Sequence, residues 1–425
     1  MPQIVLPKLH AGQVALHNSG GRLNAVRCGR RWGKTKFLVW RAARAALAGK
    51  KVGIFTPEHK QTQEPYDELL GILAPVKLRA NKNEGTIRLK TRGVIDFWTL
   101  TDNPLAGRGR EYDEVLGDEV AFSKDGQMFD LWARSIKPTL LTTRGSAWFF
   151  GTPNGVNPEN FFYKICHDEE LGFRQHYAPT STNPYVPADE LERERVRTDP
   201  RVWSQEFLAE FVDWSGAAFF DEQKMLIDGE PPDYPEKCHQ VFAVIDTAVK
   251  TGQQNDGTAV LYVAQNNFPT GPRLYFLDWD VMQIEGALLE TWLPTVFENL
   301  EHYAQQVGAI YGSIGAYIED RASGMVLLQQ AINRGWPAMA IDSKLTSVGK
   351  EERAISVSGY FYRGEIKIAR PAYEKVISYK GTSRNHLMSQ LRDFRIGQKR
   401  DGANDDLLDC ATYAAALALG DSEGF

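Results

Sequence analysis

The clearest candidate for chemistry in this chain is the segment GRRWGKT at residues 29–35, which follows the apolar run NAVRC at 24–28. Residues 34–47 then have the pattern of a helix. A phosphate-binding loop needs this context, because backbone N–H groups and a helix N-terminus hold phosphate oxygens, a lysine neutralises them and a hydroxyl binds Mg²⁺. Lys34 and Thr35 supply the last two groups, so the segment predicts a site for ATP and Mg²⁺.

The loop departs from the strict pattern GxxxxGK[ST] at its first position. Cys28 stands where the first glycine is expected, and Gly29 beside it is expected to provide the flexible turn. The alternative is that GKT is simply a turn that opens a helix. The loop residues predicted to bind nucleotide are Cys28, Gly29, Arg30, Arg31, Trp32, Gly33, Lys34 and Thr35.

An acidic pair, Asp118 and Glu119, follows a second apolar run at 114–117. In a P-loop ATPase the first acid at this place holds Mg²⁺, and the next can polarise the attacking water. An isolated acid pair after a strand is more often solvated surface, but its position downstream of GKT favours catalysis. We therefore expect Asp118 to bind Mg²⁺ with Thr35, and Glu119 to be the catalytic base.

Three groups of acids in the second half of the chain are candidates for a two-metal nuclease site. Such a site holds two divalent ions between carboxylates, so that one ion activates water and the other stabilises the leaving oxygen. The candidates are Asp246 at the end of VFAVID, Glu319 and Asp320 at the end of AYIED, and Asp405, Asp406 and Asp409 at the start of a predicted helix.

Within these groups the sequence leaves choices open. Glu319 and Asp320 alternate along a strand and point to opposite faces, so only one of them readily joins Asp246. Asp406 and Asp409 share a helix face. Structural roles are also common, since aspartate forms turns at strand ends and acids are favoured in the first turn of a helix. We predict catalytic roles for Asp246, Asp320 and Asp406, and metal binding by Asp246, Glu319, Asp320, Asp405, Asp406 and Asp409.

Four segments of the first 155 residues together resemble the ATPase of the large terminase subunits of tailed bacteriophages: AGQVAL at 11–16, GRRWGKT, LAGRGREYDEVLGDEVAF at 105–122 and FFGTPNG at 149–155. The resemblance implies that Gln13 contacts adenine and that Arg30 is the P-loop arginine of that family. It also implies that the segment 151–153, with Thr152 at its centre, couples hydrolysis to movement.

Arg108 and Arg110 lie in a glycine-rich loop just before the acidic strand. Such a loop can expose a guanidinium to the nucleotide of a neighbouring subunit, where an arginine finger stabilises charge in the transition state. The sequence does not choose between the two arginines. A solvated loop or a DNA contact is the alternative.

The second half of the chain also resembles large terminases. VIDTAVKTGQQNDGTAV, YIEDRASG and NDDLLD resemble the three nuclease motifs of large terminases. This implies a nuclease that uses Mg²⁺ or Mn²⁺. The family often has histidine before the last acid pair, where this chain has Asn404, and that difference leaves the third ligand open. Asp256 is expected to have a turn role in NDGT, and the alternative is that it approaches the site from the second strand.

The order of elements places these motifs in two α/β domains. Apolar runs alternate with helical patterns up to about residue 212, which predicts a mostly parallel sheet and a P-loop (RecA/ASCE-like) ATPase domain over 1–212. The segment 213–236 is rich in Gly, Pro and acids and is predicted to be a linker region. Three strands in a meander, then helix, strand, helix, strand predict an RNase H-like (RuvC-type) nuclease domain over 237–425.

The charge and the cysteine content of the chain exclude some classes of function. The formal net charge of −5 excludes a protein that coats nucleic acid through bulk positive charge, so DNA contacts are expected from local basic patches at 77–92 and 392–400. The four cysteines form no CxxC pair, which argues against a zinc site. No membrane-span pattern and no secretory signal is visible, and we expect an intracellular protein without a membrane partner.

The motifs predict an ATPase and a metal-dependent nuclease, and the terminase resemblance implies that the ATPase moves double-stranded DNA into a viral procapsid and that the nuclease is an endonuclease that cuts concatemeric DNA. The terminase resemblance implies a portal protein and a small terminase subunit as partners, a homo-oligomer on the procapsid, and the host cytoplasm as location. Alternatives are a helicase or repair ATPase fused to a nuclease, and a DNA-binding assembly subunit without catalysis. A helicase requires a second RecA-like lobe, for which the chain has little room.

Overall fold

The computed structural model describes residues 4–101, 103–124, 126–214, 218–247, 257–282, 289–320, 323–396 and 405–420. The chain divides into two compact units. The first comprises Met1–Val196 and Pro200–Asp213, and the second Arg197–Asp199 and Trp214–Phe425.

The first unit is built on one large sheet. Its strands are β1 (Leu23–Cys28), β2 (Lys51–Thr56), β3 (Lys77–Asn81), β4 (Thr86–Leu89), β5 (Val94–Thr99), β6 (Glu114–Gly117), β7 (Ser146–Gly151) and β8 (Arg174–Ala178). Among the described residues they are ordered β3-β4-β5-β2-β6-β7-β1-β8. All pairs from β5 to β8 in this order are parallel, and β3 and β4 form an antiparallel hairpin within the basic segment 77–92.

Seven α-helices precede the second half of the chain in the part that the structure describes. They are α1 (Ala11–Ser19), α2 (Lys34–Leu47), α3 (His59–Leu73), α4 (Gln127–Leu131), α5 (Phe161–Ile165), α6 (Ala188–Arg197) and α7 (Pro200–Glu206). The central strands β1 and β7 are buried along nearly their whole length, as expected for parallel strands covered on both faces. Helix α2 begins where the sequence predicts it, at Lys34, directly after the phosphate-loop candidate.

The parallel order has one consequence for chemistry. Strands β6, β7 and β1 are neighbours, so their carboxyl ends meet at one edge of the sheet. The segments that follow them are the acidic pair at 118–119, the segment 152–153 and the loop 29–33. Sequence-distant motifs therefore converge because of sheet topology.

An ion pair is buried between α2 and β6. Arg41 and Glu114 are paired side chain to side chain, each about nine-tenths buried, and the Arg41 guanidinium lies 4.0 Å from the centroid of the Trp148 ring. Burial lowers the pKa of Arg41 and raises that of Glu114. Desolvation therefore outweighs the mutual attraction of the pair.

We expect Glu114→Gln to destabilise the first unit by about 3–5 kcal/mol, because it leaves a buried guanidinium without its counter-charge. Chemical unfolding of the full chain measures this. The control is Asp130→Asn, which breaks the exposed Arg134–Asp130 pair and should change stability by less than about 1 kcal/mol. Equal effects of the two substitutions would contradict the expectation.

The second unit contains a mixed sheet. Its strands are β9 (Gln240–Asp246), β10 (Thr258–Gln265), β11 (Leu274–Met282), β12 (Ser313–Ile318), β13 (Ala338–Ala340) and β14 (Ile366–Ile368), ordered β13-β12-β9-β10-β11-β14 in the described part of the chain. A separate hairpin joins β15 (Ile377–Tyr379) and β16 (Thr382–Arg384).

Helices cover this sheet and connect its strands. They are α8 (Leu289–Gln306), α9 (Ser323–Asn333), α10 (Ser343–Thr346), α11 (Lys350–Tyr362), α12 (Arg370–Glu374), α13 (His386–Asp393) and α14 (Asp406–Leu419). Helix α14 packs on β9 and β10 and against α11, and it is apolar around most of its circumference because it is covered on most sides.

The predicted three-strand meander is present as β9, β10 and β11, and β12 then returns parallel to β9. This is the strand order of an RNase H-like core. The predicted α/β class, a P-loop ATPase-like unit followed by an RNase H-like unit, is confirmed.

Some segments differ from the sequence prediction. The sequence does not predict strand β8, because RQHYA is polar and mostly exposed and lacks an apolar pattern. Residues 218–236, within the predicted linker region, pack on the second unit through the buried side chains of Phe219 and Phe220. No helix of the described residues is long and apolar enough to cross a membrane.

Candidate active sites

The first candidate site lies in the loop between β1 and α2. Gly33 has φ +95°, a left-handed conformation that favours glycine, and its carbonyl accepts a hydrogen bond from Gln13 Nε2 at 2.9 Å. Gly29 is constrained differently, since a Cβ there would lie 2.3 Å from Thr180 Oγ1 and 2.4 Å from the Phe207 carbonyl oxygen. Gly29 is thus needed for a close backbone approach and is not a left-handed turn residue.

The predicted catalytic side chains of this site lie together. Lys34 Nζ is 2.7 Å from Glu119 Oε1 and donates to Thr152 Oγ1 at 3.2 Å. Thr35 Oγ1 donates to Asp118 Oδ2 at 2.9 Å. The arrangement brings a lysine, two carboxylates and two hydroxyls to the carboxyl edge of the parallel sheet.

Burial sets the electrostatics of this group. It raises the pKa of Asp118 to about 6, and the neighbouring Glu119 charge adds to the rise. Burial also opposes the charge on Lys34, but the attraction of Glu119 and Asp118 is larger and the Lys34 pKa is raised. The site therefore keeps its lysine charged and disfavours ionisation of Asp118.

Glu119 has two unusual features. Its φ is +50°, which is rare for a residue with a side chain and recurs at functional positions. Its Oε2 atom is buried and has no hydrogen-bond partner among the described residues. Carboxylate and hydroxyl oxygens are ligands that Mg²⁺ accepts, so Thr35, Asp118 and the unpartnered Glu119 oxygen fit a Mg²⁺–nucleotide site.

Several predicted loop residues have packing roles for their side chains. Cys28 is fully buried in the core and its thiol pKa is raised by burial. The Trp32 ring is buried, and its Nε1 donates to Thr182 Oγ1 at 2.8 Å. Gln13 accepts from the His10 backbone N–H while donating to Gly33. Cys28 and Trp32 can thus serve a nucleotide only through their backbone.

The loop is held by residues that the sequence analysis missed. Arg30 forms an ion pair with Glu206, and the Arg30 backbone N–H donates to the Glu206 carbonyl at 2.6 Å. Asn183 Nδ2 donates to the carbonyl of Arg31 at 2.7 Å. Thr180 Oγ1 donates to the carbonyl of Arg30 at 2.7 Å. These residues are 150 or more positions away, and no local pattern marks them.

The two arginines predicted as finger candidates differ in their surroundings. Arg110 Nε is 3.7 Å from Asp96 Oδ2, and its guanidinium lies 5.9 Å from the Trp98 ring centroid. Arg108 is exposed between Gly107 and Gly109, which both have φ +77°. Arg110 is therefore the more constrained of the two.

The second candidate site lies at the carboxyl ends of β9 and β12. These strands are parallel neighbours with Ile245 opposite Ile318, so the next residues, Asp246 and Glu319, come together. Glu319 is hydrogen-bonded to the Asp246 side chain, while Asp320 is exposed. The sequence predicts Asp320 as the catalytic acid of this pair, with Glu319 as the alternative. The structure instead brings Glu319 to Asp246 and leaves Asp320 exposed, because Glu319 directly follows Ile318, which lies opposite Ile245.

The acids of α14 complete this acidic site. Burial raises the pKa of Asp246 well above the usual aspartate value, and Asp409, Glu319 and Asp406 add to the rise. Asp406 is buried and accepts from the Gly257 backbone N–H at 3.2 Å. Two sequence-distant segments, the end of β12 and the start of α14, thus converge on Asp246.

Two of the predicted metal-binding acids are already paired with cations. Lys350 forms ion pairs with Asp405 and Asp409, and Arg353 forms an ion pair with Asp409. The sequence analysis missed both basic residues, which lie on α11. Asp256 and Asn404 lie outside the described residues.

No three acid, histidine or cysteine side chains of the described residues are arranged closely enough to hold an ion as they stand. Asp246 and Glu319 share a hydrogen bond instead, and Asp409 faces Lys350 and Arg353. The donors are nevertheless carboxylate oxygens, which suit Mg²⁺ and Mn²⁺. Buried like charges next to each other fit a cation that would relieve their repulsion.

We expect Asp246→Asn to raise the thermal stability of the chain in EDTA, most strongly at alkaline pH. Folding raises the pKa of Asp246, so its contribution to stability is complete below about pH 4, the usual aspartate pKa, and is lost as pH rises through the raised value. The gain should shrink between pH 8 and pH 5 in calorimetric scans. Asp320→Asn is the exposed control, and a pH-independent gain at Asp246 would refute the expectation.

Comparisons with known proteins agree with the architecture. No family model matches the chain. A terminase large subunit of Escherichia phage T5 is 25% identical over 173 residues, 40% of this chain and 39% of that protein, so the match spans about two-fifths of the curated relative. The solved large terminase of a thermophilic bacteriophage superimposes with a TM-score of 0.61, 13% identity and coverage of 98% of this chain and 100% of that chain.

The same thermophilic phage protein has also been solved in complex with ATP-γ-S, and that structure matches with a TM-score of 0.60, 13% identity and coverage of 96% of this chain and 98% of that chain. These structures share the fold of this chain over nearly its whole length. The resemblance to large terminases that the motifs predict is confirmed.

Proposed function

We propose that this chain, which has the fold of bacteriophage large terminases, is the motor subunit of a viral DNA-packaging machine. It hydrolyses ATP to move double-stranded DNA into a procapsid and cuts concatemeric DNA with a metal-dependent nuclease. The observation that carries the proposal is the presence of two separate constellations in one chain. Lys34, Thr35, Asp118 and Glu119 lie together in the first unit, and Asp246, Glu319 and Asp406 in the second.

Each residue of the first group has a proposed role in ATP hydrolysis. Lys34 holds the phosphates, Thr35 and Asp118 hold Mg²⁺, and Glu119 orients the attacking water. Lys34 is paired with Glu119. A phosphate that attracts Lys34 would free the Glu119 carboxylate for water, so nucleotide binding itself would prepare the base.

Thr152 has a place in this scheme because it touches Lys34 from the segment after β7. It would sense whether Lys34 is bound to Glu119 or to phosphate. This contact supports the coupling role that the terminase resemblance implies for 151–153. Gln13, buried next to the loop, is proposed to contact adenine.

The second group of residues is proposed to form the nuclease site. Asp246, Glu319 and Asp406 would hold Mg²⁺ or Mn²⁺, which supplies activation of water and stabilisation of the leaving oxygen. The protein contributes buried carboxylates from two strands and one helix. Their mutual repulsion without a cation favours metal binding.

DNA contacts are proposed for the hairpin of β3 and β4, which places basic side chains on an exposed edge of the sheet. Phosphate contacts of this kind grip DNA without sequence preference, as a translocating motor requires. The exposed basic residues are Lys77, Arg79, Lys82, Arg88, Lys90 and Arg92, of which Lys82 is paired with Asp67. In the second basic patch, Arg392 is paired with Glu222, and residues 397–400 lie outside the described residues.

Assembly partners follow from the same proposal. Arg108 is the preferred finger candidate, because Arg110 is engaged with Asp96 and Trp98. A finger supplied to a neighbour requires a homo-oligomer on the procapsid. We also propose a portal protein and a small terminase subunit as partners, and the host cytoplasm as the location.

We expect Lys34→Ala to lower ATP hydrolysis by at least about 100-fold, because the phosphates lose their main counter-charge at the site. Cutting of plasmid DNA with Mn²⁺ should stay near the wild-type level. Phosphate release and plasmid nicking, measured on the same preparation, test this. Loss of both activities in a folded variant would show that the two reactions share one site.

We expect Asp246→Asn to abolish plasmid cutting while leaving ATP hydrolysis unchanged, because an amide keeps the shape of the side chain but lacks the charge that holds the metal. Asp320→Asn is the matched control, since Asp320 is exposed and should be dispensable. Unchanged cutting by the Asp246 variant, or its loss in the Asp320 variant, would overturn the assignment. If the wild type shows neither phosphate release nor cutting, the proposed function fails.

A further inference from the structure

Asp409 is paired with two basic side chains, whereas Asp405 is paired with Lys350 alone among the described residues. Arg353 Nη2 forms an ion pair with Asp409 Oδ1, and Lys350 Nζ lies 3.0 Å from Asp409 Oδ2. Both carboxylate oxygens therefore already face a basic side chain. The Arg353 side chain is only 4% exposed, so its charge depends on protein partners.

The Arg353 guanidinium is held from several sides. Its Nε donates to Thr412 Oγ1 at 3.0 Å and its Nη1 donates to the Val348 carbonyl at 3.4 Å. Its central carbon lies 3.9 Å from the centroid of the Tyr413 ring. This combination fixes both the guanidinium plane and the ring against which it stacks.

Tyr413 connects this cation to the acidic site. Its hydroxyl donates to Glu319 Oε1 at 3.3 Å, and the ring is buried. Glu319 in turn is hydrogen-bonded to Asp246. A continuous series of contacts thus runs from Asp409 through Arg353 and Tyr413 to Glu319.

We propose that Asp409 is the counter-ion of Arg353 and not a metal ligand, and that Arg353 and Tyr413 are positioning residues that hold Glu319 toward Asp246. This rests on the proposed nuclease function. The metal-binding set then reduces to Asp246, Glu319 and Asp406.

Two physical arguments support this division of roles. A metal that recruited Asp409 would have to separate it from Arg353 and leave a buried guanidinium without its counter-charge, which is strongly unfavourable. A hydroxyl that donates to one oxygen of a carboxylate fixes the direction of the other. Such outer contacts of metal ligands typically change metal affinity by about 10–100-fold when removed.

Mn²⁺ binding to the full chain, followed by electron paramagnetic resonance, tests the proposal without relying on cutting. Asp246→Asn should lose measurable binding at the second site, Asp409→Asn should retain it, and Tyr413→Phe should bind about tenfold more weakly. Asp118→Asn in every sample removes the carboxylate proposed to hold a metal at the nucleotide site. The control is Tyr303→Phe, which deletes a comparable tyrosine–carboxylate bond to Asp278 in the same unit and should not change binding.

Plasmid cutting adds a second readout. A defect of Tyr413→Phe that disappears at high Mn²⁺ indicates positioning of a ligand, whereas a fold defect would persist. Loss of Mn²⁺ binding in Asp409→Asn, equal to the loss in Asp246→Asn, would show that Asp409 is a ligand. Wild-type affinity in Tyr413→Phe would remove the positioning role.

Thermal unfolding in EDTA separates this proposal from the nuclease assignment. Asp409→Asn and Arg353→Gln should each lower Tm by on the order of 10 °C, and the double variant should fall no further than the worse single variant. Additive losses would contradict the pairing. If the wild type binds no Mn²⁺, the nuclease proposal and the role of Tyr413 fall together, while the Arg353–Asp409 pair is decided by unfolding alone.

Discussion

Each unit buries carboxylates side by side, and the electrostatic cost of doing so shapes both candidate sites. Burial and a neighbouring acid raise the pKa of Asp118 in the first unit and of Asp246 in the second. A fold tolerates such a cost only where a cation, a proton or a ligand can relieve it. In the first unit Lys34 provides part of that relief; in the second, Asp246 and Glu319 share a hydrogen bond.

Parallel strands are what make this crowding possible. When neighbouring strands run in the same direction, the residues that follow them emerge at one edge, whatever their distance along the chain. Strands β6, β7 and β1 do this in the first unit, and β9 and β12 in the second. One geometric rule thus assembles two sites of different chemistry, and a helix N-terminus completes each of them, α2 in one and α14 in the other.

Residues that are distant in sequence hold both sites through direct contacts. The loop between β1 and α2 is tied by Thr180, Asn183 and Glu206, and the acids of α14 are tied by Lys350 and Arg353. These partners contribute no chemistry to the proposed reactions. In the first site they fix the backbone of the loop, and in the second they pair with Asp405 and Asp409 and leave Asp246, Glu319 and Asp406 for a ligand.

Local patterns in the chain were enough to predict the two-unit α/β organisation, the phosphate loop and the acidic motifs, because these depend on the periodicity of apolar residues and on short spacings. They favoured Asp320 over Glu319 as the catalytic acid, whereas the structure brings Glu319 to Asp246, since that choice depends on how β12 pairs with β9. They could not show that Cys28 is buried or that Asp409 is paired with Arg353. Those facts arise from contacts between segments distant in sequence, and only the folded chain brings such segments together.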